Sequence, residues 1–338
     1  MSNKHKNISA NAYHFFRMLK VLKTQRVINY LKIHTGYFLS KWLKKPVVWG
    51  DPFSLSLETA AVCNLRCPEC AIGCHKTQRM KKYMDLSLFE ALVKHYKKTA
   101  FYCNLYFQGE PFLNPDIYTM IKTCKKNQYY TVISTNGHFL HEKNCTKIID
   151  AGLDKLIVSL DGTDQQTYQT YRKGGNFHQV TEGIQLLTKK KEQLGSNHPF
   201  VVIQFLVSKA NEHQIQEIKK LSEKLGANKL EFKSMQIYSE QGMENFSTHL
   251  KKYNRYAGNL SETGIKTKRK SCFRLWSHAV FTSEGRQVAC CFDKTPDHAS
   301  GYFQPGKTDL WRSKTMDDLR YRLLNNKDLP KICQNCTT

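Results

Sequence analysis

From residue 51 onward, short apolar runs alternate along the chain with longer amphipathic stretches. The β-branched and apolar runs predict six strands, at 53–59, 101–107, 130–134, 155–160, 200–207 and 229–233. Between them, helical patterns cover 86–98, 114–127, 140–151, 176–194 and 211–225. Strands that alternate with helices of this length predict parallel βα units. They are too few for a closed eight-fold barrel, so we expect an α/β core shaped as an open, partial (βα)6 barrel.

The same pattern divides the chain of 338 residues into four parts. Residues 1–50 predict a basic, amphipathic helical arm, and residues 51–245 form the βα core. The polar stretch 246–270 lacks clear periodicity and predicts a linker, and 271–338 predicts a small module that contains cysteines. A chain of this length can bury a sizeable core in roughly two domains.

Positive charge is concentrated in the arm. The formal net charge is +24, and residues 1–50 hold ten Lys or Arg and no acidic residue. Apolar residues recur between these charges at roughly helical spacing: Phe15, Phe16, Leu19, Leu22, Val27, Ile28, Leu31, Phe38, Trp42 and Leu43. Such a surplus predicts attraction to an anionic partner. Two interpretations are open, namely a helix packed on the core with a solvated basic face and a helix that lies on an anionic membrane surface.

Composition and segment lengths also bear on location. Hydrophobic residues make up 40% and charged residues 24% of the chain, which excludes a largely disordered protein. No apolar run approaches the ~18–20 residues that cross a bilayer, and the start of the chain lacks the apolar core of a secretory signal. We therefore expect a cytoplasmic protein, with peripheral attachment to the inner membrane face as an option for the arm.

Twelve cysteines are the main chemical feature of the sequence. In a reducing compartment, clustered cysteines indicate metal binding or chemistry rather than disulfides. Cys103, Cys124 and Cys145 are isolated and predict small buried residues. The other cysteines form two groups that lie far apart in the sequence.

In the first group, Cys63, Cys67 and Cys70 follow the first predicted strand with C-x3-C-x2-C spacing. This position lies at the carboxyl edge of a parallel sheet, where functional sites are built. Three thiolates can bind three irons of a four-iron cluster and leave the fourth iron open, as a catalytic site requires. Cys74 lies four residues further on and offers a fourth ligand, which would instead close the site.

The cysteine pattern resembles the radical SAM superfamily, and CNLRCPEC is a typical form of its motif. Later strand ends carry similar motifs, namely Gln108-Gly109-Glu110-Pro111, Ser134-Thr135-Asn136-Gly137 and Ser159-Leu160-Asp161-Gly162, with Tyr171-Arg172 behind the last. The resemblance implies that S-adenosylmethionine (SAM) is bound by Gly109, Glu110, Asn136, Ser159 and Arg172. The backbone of the first motif would hold the methionyl amino group. Arg172 would pair with the carboxylate, for which a guanidinium fork is suited.

Two residues depart from the family pattern. Gln108 replaces a glycine, and Glu69 stands where members commonly carry an aromatic residue beside the adenine, so stacking there is not carried over. The resemblance implies that a [4Fe-4S] cluster cleaves SAM reductively to a 5′-deoxyadenosyl radical, which removes hydrogen from a substrate. It also implies an electron donor such as flavodoxin or ferredoxin.

The second group comprises Cys272, Cys290, Cys333 and Cys336. Four thiolates from three separated segments can close around one metal centre and stabilise a module with a weak core. A structural zinc site with four cysteines is the alternative. The spacing resembles the SPASM/twitch extensions of radical SAM enzymes, which implies that these cysteines bind an auxiliary [4Fe-4S] cluster for electron transfer. The cysteine count of the module matches the shorter, one-cluster twitch-like form.

Cys291 follows the auxiliary ligand Cys290, at the position where sulfatase-maturating relatives carry a catalytic aspartate. Three interpretations are open: a buried bystander, the cluster ligand in place of Cys290, and a thiol that donates hydrogen to a substrate radical. Cys291 is therefore a tentative catalytic residue.

For the function, we expect modification of a peptide or protein by radical chemistry. The alternative is oxidation or epimerisation of a small molecule such as a sugar. A more remote alternative is a non-catalytic, metal-binding protein that binds nucleic acid. The sequence carries neither a recognition motif nor a platform of interleaved aromatic residues for single strands, so nucleic acid is not an expected partner.

Overall fold

A computed structural model describes residues 12, 15–74, 79–256, 272–307, 309–334 and 336. Its core strands are β1 (Ser54–Leu57), β2 (Tyr102–Asn104), β3 (Tyr130–Thr135), β4 (Lys155–Ser159), β5 (Phe200–Val207) and β6 (Lys229–Ser234). Each pairs in parallel with the next one in the chain. Among the described residues β6 lies at one edge of the sheet and does not pair with β1, so the barrel stays open. The prediction of an open, partial α/β barrel is confirmed.

The helices are α1 (Thr24–Leu43), α2 (Leu86–Tyr96), α3 (Ile117–Lys126), α4 (Glu142–Asp150), α5 (Gln165–Tyr171), α6 (Phe177–Gln193), α7 (Ile215–Lys224), α8 (Glu240–Phe246), α9 (Arg274–Ser277), α10 (Lys314–Asn325) and α11 (Lys331–Gln334). The five helices predicted within the core correspond to α2, α3, α4, α6 and α7. In α3, for example, Ile117, Met120, Ile121 and Cys124 are buried, which is the apolar stripe of a helix packed on a sheet. The polar α5 buries only Tyr168, so its sequence lacks this signal.

The C-terminal module extends the core sheet. Strand β7 (His278–Phe281) pairs in parallel with β1, and β8 (Arg286–Val288) and β9 (Gly301–Tyr302) continue it in antiparallel pairs. The result is one sheet of nine strands in the order β6-β5-β4-β3-β2-β1-β7-β8-β9. The module therefore shares backbone hydrogen bonds with the core, whereas the sequence indicated a separate unit.

Part of the segment predicted as a linker, 246–270, is packed on the core. Helix α8 ends at Phe246, and Phe246 and Tyr256 form a small buried cluster with Met235 and Ile237. The hydroxyl of Tyr256 accepts a hydrogen bond from the backbone N–H of Ile237 at 2.7 Å. A few scattered apolar residues produce no periodic pattern, which explains why the sequence suggested a linker. Residues 257–270 lie outside the described residues.

Residues of the arm cover the open barrel at the amino ends of its strands. On the inner face of the sheet, Val132 and Ser134 lie two residues apart on β3, and Val202 and Gln204 do so on β5. Alternate residues of a strand share a face. The inner face is therefore apolar in its lower half, toward the amino ends of the strands, and polar in its upper half, toward their carboxyl ends. Val21 packs with Val132 and Val202 in the buried cluster of the lower half, and Met18 and Leu22 pack against it.

Helix α1 lies along the amino edge of the strands and is held there by buried polar contacts. The guanidinium of Arg26, 2% exposed, donates hydrogen bonds to the carbonyls of Val21, Lys97, Asn127 and Gln128. The amide of Asn29 donates to the carbonyls of Asp51 and Thr99. The helix is thus packed on the core, although through its polar and small residues rather than through most of the apolar ones. Across the described part of the chain, no helix is both long and apolar enough to cross a membrane.

We expect Arg26→Ala to lower the free energy of unfolding by about 3 kcal/mol, because several buried carbonyls would lose a charged donor. Lys32→Ala, on the exposed side of the same helix, is the matched control and should change it by less than about 0.5 kcal/mol. Denaturant unfolding of the full chain measures both. Equal stability of the two variants would show that the arm is not anchored through Arg26.

Candidate active site

A cavity of about 320 Å³ lies at the carboxyl edge of strands β1 to β5. Its lining includes the three cysteines of the C-x3-C-x2-C motif and every residue that the sequence assigned to SAM: Cys63, Cys67, Cys70, Gly109, Glu110, Asn136, Ser159 and Arg172. These residues come from four strand ends and span more than a hundred positions of the sequence. The parallel sheet brings them together because all of its carboxyl ends lie at one edge.

The three cysteines lie on the loop after β1, which is folded tightly by its own backbone. The N–H of Cys70 donates to the carbonyl of Cys67 at 3.1 Å, and the N–H of Cys74 donates to that of Cys70 at 2.9 Å. The thiol of Cys74 donates to the carbonyl of Pro68 at 2.6 Å and, among the described residues, does not line the cavity. Burial raises the pKa of Cys63 and raises that of Cys67 to about 11.

Two of the thiols contact residues from other strand ends. The amide nitrogen of Asn136 lies 3.7 Å from the sulfur of Cys63, and Nη1 of Arg172 lies 3.9 Å from that of Cys67. Both partners are donors, and both were assigned to SAM from the sequence. Each donor favours the thiolate form of the sulfur it contacts, but burial is the larger effect and the pKa of both thiols is raised.

Gly109 allows the turn after β2 to approach the cysteine loop. Its φ of +69° is accessible to glycine, and a Cβ would lie 2.3 Å from the carbonyl oxygen of Ala60. The next N–H, of Glu110, donates to the carbonyl of Val62 at 2.8 Å. Any larger residue at 109 would push the turn away from the cysteines.

The carboxyl group of Glu110 joins the turn after β2 to the end of β3. It accepts hydrogen bonds from the N–H of Phe112, the hydroxyl of Thr135 and the N–H of Asn136. Complete burial raises its pKa to about 7, although these three bonds favour the carboxylate. Glu110 thus orients the loops on both sides of the cavity.

Arg172 is oriented by Asp161. Its Nε donates to Oδ2 of Asp161 at 2.6 Å, and Oδ1 of the same carboxylate accepts from the N–H of Leu206 at 2.7 Å. The Nη2 group of Arg172 has no acceptor among the described residues. It lies on the cavity wall, so it can bind a carboxylate of an incoming ligand.

Glu69 has a different role from the aromatic residue that it replaces. Its carboxylate accepts hydrogen bonds from the N–H of Tyr238 and from the hydroxyl of Ser239, the N-cap of α8. A Cβ on Gly242 would lie 2.1 Å from Glu69 Oε1, so a glycine is needed for this approach. These hydrogen bonds of Glu69 therefore connect the start of α8 to the cysteine loop.

The C-terminal module contributes Lys294 to the lining of the cavity, which the sequence did not reveal. The carbonyl of Lys294 accepts a hydrogen bond from the side chain of Gln108 at 3.1 Å, and Lys294 itself lines the cavity. Burial lowers the pKa of Lys294, whose ammonium lies 4.7 Å from the ring centre of Tyr238. Gln108 therefore links the βα core to the C-terminal module at the cavity. Tyr106, Tyr171 and Gln204 also line the cavity and were not predicted.

The second group of cysteines is placed within the module and apart from the lining of this cavity. Cys272, Cys333 and Cys336 are buried, and Cys290 packs against the core. Burial raises the pKa of Cys290 well above its usual value, and the nearby thiols of Cys291, Cys272 and Cys333 add to the effect. The fold thus gathers cysteines from three separated segments.

Cys291 lies beside this group. Its sulfur is 3.0 Å from Nη1 of Arg274, and its electrostatic neighbours include Cys272 and Cys336. The carboxylate of Asp293, two residues further on, is buried and accepts hydrogen bonds from the N–H groups of Ala289, Asp297 and His298. The three interpretations of Cys291 stay predictions.

The donor set fits the expected cofactors. One loop offers three thiols, and the cavity beside it carries a guanidinium with a group available for a carboxylate. Comparison with known families agrees: residues 57–222 match the radical SAM superfamily, and residues 272–337 match an iron–sulfur cluster-binding domain, SPASM. The chain belongs to the radical SAM superfamily. It combines a radical SAM domain with a C-terminal SPASM iron–sulfur module, and these domains assign to it a [4Fe-4S] cluster, an auxiliary cluster and SAM as cofactors.

The names of similar proteins refer to several different substrates and ligands. A probable GTP 3′,8-cyclase of Methanococcus maripaludis is 33% identical over 39% of this chain and 44% of its own length. BtrN in complex with AdoMet and 2-DOIA is 19% identical, with a TM-score of 0.52, over 85% of this chain and 94% of its own. The protein anSMEcpe with bound AdoMet and the Cp18Cys peptide is 18% identical, with a TM-score of 0.59, over 85% and 87%. The chain spans about half the length of the curated relatives it matches.

Proposed function

We propose that the cavity is the site of reductive SAM cleavage and of hydrogen abstraction from a substrate, with Cys63, Cys67 and Cys70 as ligands of the catalytic cluster. The observation that carries the proposal is the convergence of these cysteines and of the five assigned SAM contacts on one cavity. When bound, the cluster and SAM supply an electron-driven cleavage whose product removes a hydrogen atom from the substrate.

Different residues of the cavity bind different parts of SAM. The turn at Gly109 and Glu110 offers backbone groups to the methionyl amino group, and Nη2 of Arg172 pairs with the carboxylate. Asn136 and Ser159 also line the cavity, where they would contact the rest of the cofactor. Asp161 acts as a positioning residue, because its carboxylate fixes the direction of the Arg172 side chain.

Cys272, Cys290, Cys333 and Cys336 are the proposed ligands of the auxiliary cluster. Their burial and the mutual influence of their thiols support this assignment. A cluster with four cysteine ligands has no open position for substrate, so its role is electron transfer. The electron for SAM cleavage would come from a donor such as flavodoxin or ferredoxin.

For the substrate, we propose a peptide or protein side chain. The anSMEcpe structure contains a peptide, which supports this class. The alternative is a small molecule such as a sugar, which the match to BtrN with 2-DOIA over nearly its whole length favours.

Transfer of deuterium tests both the reaction and the substrate class. The full chain, with both clusters reconstituted anaerobically, is given SAM, a reductant and one deuterated candidate. The candidates are short peptides encoded beside the gene and an aminosugar. We expect deuterium in 5′-deoxyadenosine with the peptide and not with the sugar, measured by mass spectrometry.

The outcomes separate the two parts of the proposal. Deuterium transfer from the aminosugar alone would overturn the peptide class and leave the reaction standing. A reconstituted protein that forms no 5′-deoxyadenosine under any condition would contradict the reaction itself.

A further inference from the structure

Helix α1 and the helical residues 15–20 before it expose a set of apolar side chains. This set, called the outer arm face, comprises Phe15, Phe16, Leu19, Val27, Ile28, Leu31, Phe38 and Trp42. Phe38 is 70% exposed and Trp42 is 75% exposed. Leu31, Phe38 and Trp42 are separated by seven and four residues and therefore lie on one side of the helix. Contiguous apolar patches of this kind mark interaction sites on soluble proteins.

The opposite side of the same helix is the one that packs on the protein. Its buried residues are Arg26, Asn29, Ile33, Gly36 and Ser40, again at spacings of three and four. At Gly36 a Cβ would lie 2.8 Å from the carbonyl oxygen of Val47, so the helix is pressed closely onto the chain behind it. Helix α1 therefore presents its apolar side outward, the reverse of an ordinary surface helix.

Lysines border the outer arm face on both sides. Lys23 and Lys41 lie along one border and Lys32 along the other, and all three are exposed. Lys44 and Lys45 follow at the end of the helix, and residues 1–50 contain no acidic residue. Long lysine side chains at the borders can keep their ammonium groups in the headgroup layer while apolar and aromatic side chains enter the lipid.

We propose that the outer arm face docks on an anionic lipid bilayer. A bilayer with anionic lipids complements both its apolar centre and its basic borders. A second copy of the chain is a poorer occupant, because self-association through this face would bring two sets of lysines together. The proposal does not depend on the chemistry of the active site.

The position of the arm allows docking without blocking the cavity. Helix α1 contacts the chain just before β1 and β2, through Asn29, and just before β7, where Tyr37 meets Trp276. These contacts lie at the amino edge of the sheet, and the cavity lies at its carboxyl edge. A protein bound to a membrane by its arm would therefore keep the cavity open to the aqueous side.

Vesicle co-sedimentation of the full chain tests the proposal with variants of exposed residues only. Deleting the arm would also remove Val21, Arg26 and Ile33 from the core, so deletion is not informative. We expect binding to phosphatidylcholine vesicles that contain phosphatidylglycerol and much weaker binding to pure phosphatidylcholine. High salt should release the protein, because screening weakens the attraction.

The contributions of the lysines and of the apolar side chains to vesicle binding are tested separately. Replacing Lys23, Lys32 and Lys41 by glutamine should weaken binding roughly a hundredfold, at about fivefold for each lysine near the surface. The matched control replaces the exposed Lys219, Lys220 and Lys224 of α7, and it should bind as the wild type does. Phe38→Ser with Trp42→Ser should weaken binding more than about tenfold, whereas Leu194→Ser, at another exposed site, should not.

Tryptophan fluorescence reports the depth of insertion. Of the four tryptophans, Trp276 and Trp311 are buried, and Trp42 and Trp49 are exposed. Anionic vesicles should shift the emission to the blue, brominated lipids should quench it, and Trp42→Phe should remove most of both effects.

Two results would overturn the proposal. An equal loss of binding in the α7 control would assign the attraction to net charge rather than to the arm. A dimer that Phe38→Ser with Trp42→Ser converts to a monomer, without vesicle binding by either protein, would make the outer arm face a self-association surface.

Discussion

Simultaneous replacement of Cys63, Cys67 and Cys70 by alanine should remove about half of the iron and abolish 5′-deoxyadenosine formation. Two [4Fe-4S] clusters require about eight irons per chain, and the variant should retain about four in the auxiliary cluster. The reason is geometric: the three thiols lie on one loop beside the cavity, and no other cysteine among the described residues lines it. Iron analysis and chromatography of the SAM products measure the two effects.

Cys74→Ser is the matched control for this experiment. It lies on the same loop, and a hydroxyl can preserve the hydrogen bond that the Cys74 thiol donates to the carbonyl of Pro68. We expect it to keep the full iron content and the rate of SAM cleavage. Loss of iron from this variant would make Cys74 a ligand of a closed site. Stoichiometric zinc with little iron in the wild-type protein would contradict the assignment of both cysteine groups.

Arg172→Gln should weaken SAM binding roughly a hundredfold and leave the iron content unchanged. The substitution removes the donor that faces the cavity and leaves the buried Asp161 without its cation. Arg172→Lys keeps the charge but loses the planar fork, so it should recover only part of the affinity. Calorimetry on the anaerobically reconstituted protein measures the dissociation constant.

Arg66→Gln is the matched control for Arg172. Arg66 is an exposed arginine on the cysteine loop, and among the described residues it does not line the cavity. SAM affinity should be the same as in the wild type. A similar loss in both variants would mean that net charge, and not the guanidinium on Asp161, determines the affinity. Unchanged affinity in Arg172→Gln would remove Arg172 from the SAM site.

The core elements were predictable because their patterns are local. The run 200–207 is apolar on both faces, which is typical of a buried parallel strand, and it coincides with β5. Helices α3 and α6 carry apolar stripes at helical spacing and begin and end close to their predicted positions. Between β1 and the C-terminal module, the helices that the sequence did not predict, α5 and α8, are short and polar, and each is held by a side-chain cap and by contacts with distant residues.

The same distinction applies to the site. Cysteines and strand-end motifs have fixed spacings, so their residues could be assigned before any geometry was known. Lys294 and Gln204 belong to no motif with a fixed spacing. Lys294 reaches the cavity only because β7 joins the edge of the sheet at β1, and Gln204 does so because alternate residues of β5 face inward.

The sequence by itself determined the α/β class, the open barrel and the radical SAM family, because strand and helix periodicity and motif spacing are properties of neighbouring residues. Only the tertiary structure decided which face of the arm is buried. The apolar residues of α1 form a stripe bordered by lysines, which fits a side packed on the core as well as a side on a membrane, so the periodicity indicates a helix but not its orientation. That orientation follows from Arg26 and Asn29, whose bonds to carbonyls of loops far along the chain turn the polar side inward and leave Phe38 and Trp42 exposed.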